Sequence, residues 1–131
     1  MKKTMVFLML MVVLALALTG CGPKTATLDV EMKDFSFTPD TFEVPAGATV
    51  TMNLKNSGTV THEYVIMVMG KDATAPFSDD DEPNIFWEHE LDMGGSETVT
   101  FTAPTEPGEY HIVCGIPAHL EQGMVATLTV K

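Results

Sequence analysis

Residues 110–130 read YHIVCGIPAHLEQGMVATLTV, a strand, a loop and a strand. Tyr110, Ile112 and Cys114 fall on one row of the first run and His111 and Val113 on the other; after the loop, Met124, Ala126, Leu128 and Val130 share one row. Successive side chains of a strand point to opposite faces, so period-two runs of this kind mark half-buried antiparallel strands. Working outward, Leu28, Val30 and Met32 alternate with Asp29, Glu31 and Lys33, and Val50, Met52 and Leu54 alternate with Thr49, Thr51, Asn53 and Lys55. Val99 and Phe101 alternate with Thr98, Thr100 and Thr102, and Pro39, Pro45-Ala46-Gly47, Asn56-Ser57-Gly58, Gly94-Gly95 and residues 104–108 punctuate the runs. Seven to eight short strands with no long helical pattern predict an all-β fold, a two-sheet antiparallel sandwich. Residues 70–96 exceed the usual loop length, which predicts a helical turn or an extra edge strand around residues 85–91.

The 131-residue chain is sized for one domain, and its first twenty residues do not share the strand pattern. Lys2 and Lys3 precede an apolar run over residues 5–18, and Thr19, Gly20 and Cys21 follow; this is an export signal, too short for a spanning helix. Leu18-Thr19-Gly20-Cys21 resembles the lipobox of bacterial lipoproteins, which implies cleavage before Cys21 and a diacylglycerol on its sulfur. The alternative is a soluble secreted protein in which Cys21 is incidental. The expected organisation is a signal peptide over 1–20, a lipidated tether over 21–27 and one domain over 28–131. The expected location is the periplasm or the extracellular face of the membrane. The whole chain carries a formal charge of -11, and removing the signal with its two lysines makes it -13. Nucleic acid and anionic membrane surfaces need positive charge, so neither is a partner; a basic protein or a metal cation is compatible.

Lipidation of Cys21 leaves Cys114 as the one thiol of the mature chain, so no internal disulfide can form. A lone thiol in an oxidising compartment needs burial or a metal. Cys114 is followed by His119 and Met124 at equal spacings of five, which puts a thiolate, an imidazole and a thioether on one loop. Pro117 stiffens that loop, and Gly123 frees the backbone to turn before Met124. His62, opening the apolar run HEYVIMV after the NSGTVT turn, is the strongest candidate for a fourth donor. Soft sulfur, two imidazoles and a weak thioether form a copper set, whereas structural zinc sites rarely recruit Met. The competing reading makes Cys114 a structural thiol, Met124 a core filler and His62 a strand-end histidine, because Cys and Met are commonly buried. His111 lies on the row opposite Cys114 and is not expected to reach its metal. His89, between Glu88 and Glu90, reads as a solvated loop histidine, with a second metal site as the alternative.

His62, Cys114, His119 and Met124, in this order and with four-residue gaps inside the loop, resemble the cupredoxins, the type 1 blue copper proteins. The gaps are similar to those of rusticyanin and auracyanin-like members; plastocyanin has a shorter first gap. The resemblance runs from PAGATVTMNLKN to GMVATLTV. It implies a Greek-key β-sandwich, one copper per chain cycling between Cu(I) and Cu(II), three equatorial ligands in His62, Cys114 and His119, and an axial Met124. It also implies electron exit through His119 within an apolar patch, for which Gly115, Ile116, Pro117, Ala118 and Leu120 are the local candidates. One residue departs from the pattern. Many cupredoxins carry Asn directly after the first histidine, where it ties the ligand loops near the thiolate; here the residue is Glu63, and an ionised carboxylate cannot donate a hydrogen bond. Either Glu63 points away, as its strand parity suggests, or the surroundings of the sulfur differ.

A closed ligand set argues against chemistry on bound water or substrate, and Cys114 with His119 lacks a third orienting group for nucleophilic catalysis. The chain therefore reads as an electron carrier and not an enzyme, a monomer serving a redox protein such as a basic cytochrome or a membrane oxidoreductase. Asp79, Asp80, Asp81 and Glu82 are candidates for steering it. The alternative is a periplasmic copper-binding protein for tolerance or delivery, because THEYVI also resembles copper-handling relatives. Met32, Met52, Met67 and Met69 are hints toward it, although Met32 and Met52 fit inward strand positions and Met67 is buried only if its strand is covered on both faces. A sandwich without redox use is a third reading.

Overall fold

The computed structural model describes residues 22–131, so the signal peptide expected over residues 1–20 and the lipidation expected at Cys21 fall outside the described residues. Nine strands follow in order: β1 (Thr25–Lys33), β2 (Ser36–Thr38), β3 (Thr41–Val44), β4 (Thr49–Asn56), β5 (His62–Met67), β6 (Ile85–Leu91), β7 (Ser96–Thr102), β8 (Gly108–Val113) and β9 (Val125–Val130). They form an all-β sandwich of a four-stranded sheet, β2-β1-β4-β7, and a five-stranded sheet, β3-β9-β8-β5-β6. The count exceeds the expected seven to eight because β2 and β3 are only three and four residues long, too short for alternation to register. The stretch over residues 85–91 is an edge strand, preceded by a single 3-10 turn at Glu82–Asn84.

Two pairings correct the antiparallel expectation: β1 runs parallel to β4 and β3 parallel to β9. The chain passes from β1 and β2 in one sheet to β3 in the other and back, so β4 re-enters alongside β1 in the same direction. Side-chain alternation is the same in both kinds of pair, and the sequence pattern cannot separate them. The parallel pairing begins at Thr25↔Thr49, so the sheet takes up Thr25, Ala26 and Thr27 from the expected tether.

The inward rows meet as one core: Val30, Met32, Val50, Met52 and Leu54 from the first sheet face Tyr64, Ile66, Tyr110, Ile112 and Leu128 from the second. Burying each such side chain contributes on the order of 1.5–3 kcal/mol, so this layer fixes the strand ends that carry the site. A smaller apolar cluster lies on the other face of the five-stranded sheet, where Val65, Met67 and Val113 pack with Ala73, Phe77, Ile85 and Leu120. The long loop thus covers β5, and Met67 is fully buried from the second side.

Candidate metal centre

His62 opens β5 on the inward row, and Cys114 follows the last residue of β8. These strands are antiparallel neighbours, paired through Val65↔Val113 and Ile66↔Ile112, which brings the start of one beside the end of the other. The loop after Cys114 then folds on itself. The Cys114 amide donates to the Met124 carbonyl at 3.1 Å, the Met124 amide to the His119 carbonyl at 3.1 Å and the His119 amide to the Ile116 carbonyl at 3.1 Å. Gly123 takes the left-handed conformation (φ +85°) just before Met124, as the sequence predicted, and Ala118 takes it just before His119 (φ +71°).

Three of the four expected ligands converge. His62 Nδ1 lies 3.1 Å from His119 Nδ1, and Cys114 Sγ lies 3.3 Å from His119 Nδ1 and 3.9 Å from His62 Nδ1. The three donor atoms all lie within 4.8 Å of one another, and all three residues are buried. Met124 is fully buried as well, joined through its backbone to both Cys114 and His119. A thiol and two imidazole nitrogens facing one another in an apolar interior fit a soft, nitrogen-binding cation such as copper. Burial, then the neighbouring His62, pushes the His119 imidazole below its ordinary pKa against the pull of Asp34 and Glu121, which favours the neutral, coordinating form. Burial pushes the Cys114 thiol up, opposed by the backbone amides of Glu63 and Ile116. A bound cation is what converts such a thiol into a thiolate.

Glu63, where the sequence departs from the expected Asn, meets the sulfur through its backbone. The Glu63 amide donates to Cys114 Sγ at 3.4 Å, a bond that any side chain at this position permits. Its carboxyl lies on the outer face, against Gly115 and near Phe77, where an added Cβ on Gly115 would collide with it. Burial first, then Glu88, Glu90 and Glu82, raises this carboxyl to about 7.

Four further residues shape the site and were not singled out from the sequence. Asn56, 1% exposed, donates to the carbonyls of Val60 and Leu91 at 2.8 and 2.9 Å and accepts from the Gly58 amide at 2.9 Å. It ties the turn before His62 to the end of β6; the Asn56-Ser57-Gly58 signal showed the turn but not the tie. Asp34, in the two-residue turn between β1 and β2, meets His62 Nε2 at 3.2 Å. The hydroxyl and amide of Thr59 hold the Asp34 carboxyl below the ordinary carboxylate range, with a smaller contribution from His62. Gly58 passes so close that an added Cβ would collide with His62 Nε2 and lie 2.6 Å from the Asp34 oxygen. Phe35, also in that turn, sits at φ +64° and places its ring edge-on to His119, centroids 5.3 Å apart.

His111 is half-buried on the row opposite Cys114, with its Nδ1 unpartnered, and is not among the converging donors. His89 is not in a loop: it lies on β6, bonded to Glu97 at 2.8 Å and stacked on Trp87. Met32, Met52 and Met67 are fully buried, and Met69 is half-buried against the core. Of the expected docking patch, Pro117 and Ala118 are exposed and Ile116 half-buried. Leu120 is a correction, because it turns inward into the cluster beneath the long loop.

A family model described as the cupredoxin-like domain matches residues 6–130. Auracyanin-A of Chloroflexus aurantiacus is 32% identical over 117 residues, covering 77% of this chain and 71% of that protein. Auracyanin-B of the same organism is 31% identical over 111 residues, covering 72% of this chain and 47% of that longer protein. The structure of dithionite-reduced auracyanin from the photosynthetic bacterium Roseiflexus castenholzii superposes with a TM-score of 0.68 at 34% identity, over 84% of this chain and 99% of that one.

Proposed function

The chain belongs to the cupredoxin-like family, and from that premise we propose that it carries single electrons by way of one type 1 copper held by His62, Cys114 and His119, with Met124 as the weak axial donor. The convergence of two imidazole nitrogens and one thiol within 4.8 Å in a buried pocket supports this reading above all else. Copper supplies a one-electron Cu(I)/Cu(II) couple when bound. The residues supply a constant environment. His62 and Cys114 are fixed by adjacent strands, His119 and Met124 by a loop closed on its own amides, so little needs to rearrange between oxidation states. The amide of Glu63 stabilises negative charge on the sulfur. His119 is the ligand nearest the exterior among the three, at 7% exposed; the exposed Phe35 ring meets it edge-on, and Pro117 and Ala118, which precede it in the loop, are exposed as well. The protein is a carrier, not an enzyme.

In this reading residues 1–20 are a lipoprotein signal, Cys21 is lipidated, and the domain works as a monomer on the periplasmic or extracellular face of the membrane. Its partner is a basic redox protein, a cytochrome or membrane oxidoreductase, drawn by the acidic surface. Asp79, Asp80 and Glu82 are exposed on the loop that covers the five-stranded sheet and belong to that surface. Copper delivery is disfavoured because the methionines that suggested it are packed into the cores.

The test is one equivalent of Cu(II) added to the purified protein, with visible and electron paramagnetic resonance spectra recorded together. An intense thiolate-to-copper band with altered copper hyperfine splitting is expected, lost in Cys114→Ser. Weak absorption with ordinary square-planar copper parameters overturns the assignment.

A further inference from the structure

The turn joining β1 to β2 is two residues long, Asp34 and Phe35, with Lys33 paired to Ser36 across it. Turns this tight ordinarily place Gly or Asn where φ is positive, and a bulky aromatic there is strained. Here Phe35 holds that position at φ +64°. Strain of this kind persists only where surroundings over-determine it, and it clusters at functional sites. The turn reaches both histidines at once, Phe35 against the His119 ring and Asp34 against the far nitrogen of His62.

We propose that Asp34 is a positioning residue for the metal site, whose carboxylate accepts a hydrogen bond from the Nε2–H of His62 and thereby fixes the tautomer that leaves Nδ1 bare toward Cys114 and His119. A neutral imidazole carries one N–H, so the partner of one nitrogen decides the state of the other. Nε2 faces Asp34 Oδ1 at 3.2 Å, and the carboxylate has no proton to give. Nδ1 must then be the acceptor, in keeping with its place 3.1 Å from His119 Nδ1 and 3.9 Å from Cys114 Sγ.

The surroundings are built for this contact. Thr59 donates to Asp34 through its amide at 2.9 Å and its hydroxyl at 2.7 Å, which orients the carboxylate before His62 is considered. Gly58 leaves space that any side chain would fill. His62 is fully buried while the Asp34 side chain is one-third exposed, so the carboxylate stands at the boundary between ligand and solvent. A carboxylate behind a metal-facing imidazole raises its basicity and adds a fixed negative charge that favours the more positive oxidation state of the metal.

The proposal rests on the copper reading above, and its test separates the two. Nitrogen-edited NMR of the metal-free protein is expected to show His62 as a single Nε2–H tautomer in the wild type and in Asp34→Asn, whose amide oxygen still accepts, but mixed tautomers in Asp34→Ala. In copper-loaded protein, Asp34→Asn is expected to keep the wild-type visible band while losing roughly tenfold in its preference for Cu(II) over Cu(I), read as a raised reduction potential. Asp34→Ala is expected to lose about 10–100-fold in Cu(II) affinity. An Nδ1–H tautomer in the wild type overturns the proposal, as does an Asp34→Ala protein that keeps both tautomer and potential. If the wild type yields no thiolate-copper band, the copper reading fails while the tautomer measurement still decides the role of Asp34.

Discussion

Glu63 places a carboxyl on the outer face of β5 where water is partly excluded and three other carboxylates are near, and the consequence is measurable. Burial first, and then Glu88, Glu90 and Glu82, carries it from an ordinary 4.5 to about 7 in the folded chain. Below pH 4.5 the group is protonated in both folded and unfolded chains and its effect vanishes. As pH rises through the interval to about 7 the unfolded chain has released the proton and the folded chain has not, so stability falls; above that the full penalty stands. A displacement of that size is worth about 3 kcal/mol at full strength. Glu63 is only half-buried, and solvent screening reduces the figure to roughly 1–2 kcal/mol. Glu63→Gln removes the ionisation and keeps the shape. Denaturant unfolding of the metal-free proteins should therefore find the variant more stable by roughly 1–2 kcal/mol at pH 8, with the gap closing toward pH 4. The metal-free form is the right subject because a bound cation would attract the carboxylate. A gap independent of pH, or one favouring the wild type at pH 8, refutes the reasoning.

Asn56→Ala leaves the buried Leu91 carbonyl, the part-buried Val60 carbonyl and the Gly58 amide without this partner, and should cost about 1–3 kcal/mol in the same unfolding assay; a loss under roughly 0.5 kcal/mol would show that water replaces the side chain. Met124→Leu should retain copper and its visible band while raising the reduction potential, because a thioether donor is withdrawn; a lowered potential in voltammetry counts against Met124 as the axial ligand. Electron-transfer rates with a basic cytochrome should fall as salt is added, since the chain carries a net charge of -11, and a rate indifferent to ionic strength eliminates electrostatic steering.

What the sequence made legible follows from which interactions leave a local signature. The alternation of Leu28, Val30 and Met32 or of Tyr110, Ile112 and Cys114 is local, and the burial of these residues matches it. The evenly spaced ligands on one loop are local too, and His62 was accessible because it opens an apolar run at a turn. Strand direction is not local, so the parallel pairing of β1 with β4 left no trace in the pattern. Nor is the setting of the histidines. Asp34 precedes His62 by 28 residues and looks like an ordinary turn aspartate, and Phe35 looks like a member of an alternating run; only the sandwich brings both to the metal site. His89 differs from its expected setting for a related reason, since flanking carboxylates suggest a solvated loop while its row on β6 faces inward beside Trp87.

The two apolar clusters together explain why the ligands should stay converged without a metal. On the inner side Cys114 and Met124 belong to the main core, packed between the sheets. On the outer side Val113 and Leu120, each directly beside a ligand in sequence, belong to the cluster under the long loop with Phe77 and Ala73. The ligand loop is thus gripped from both faces of the five-stranded sheet, and its turns are closed by its own amides. Opening it would expose apolar side chains on both sides at on the order of 1.5–3 kcal/mol each, far more than the few hydrogen bonds among the donors could return. The fold therefore meets the cost of ordering the loop before copper arrives. A site preorganised in this way resists the differing geometric preferences of the two oxidation states, and that resistance suits a protein whose task is to gain and lose one electron with little movement.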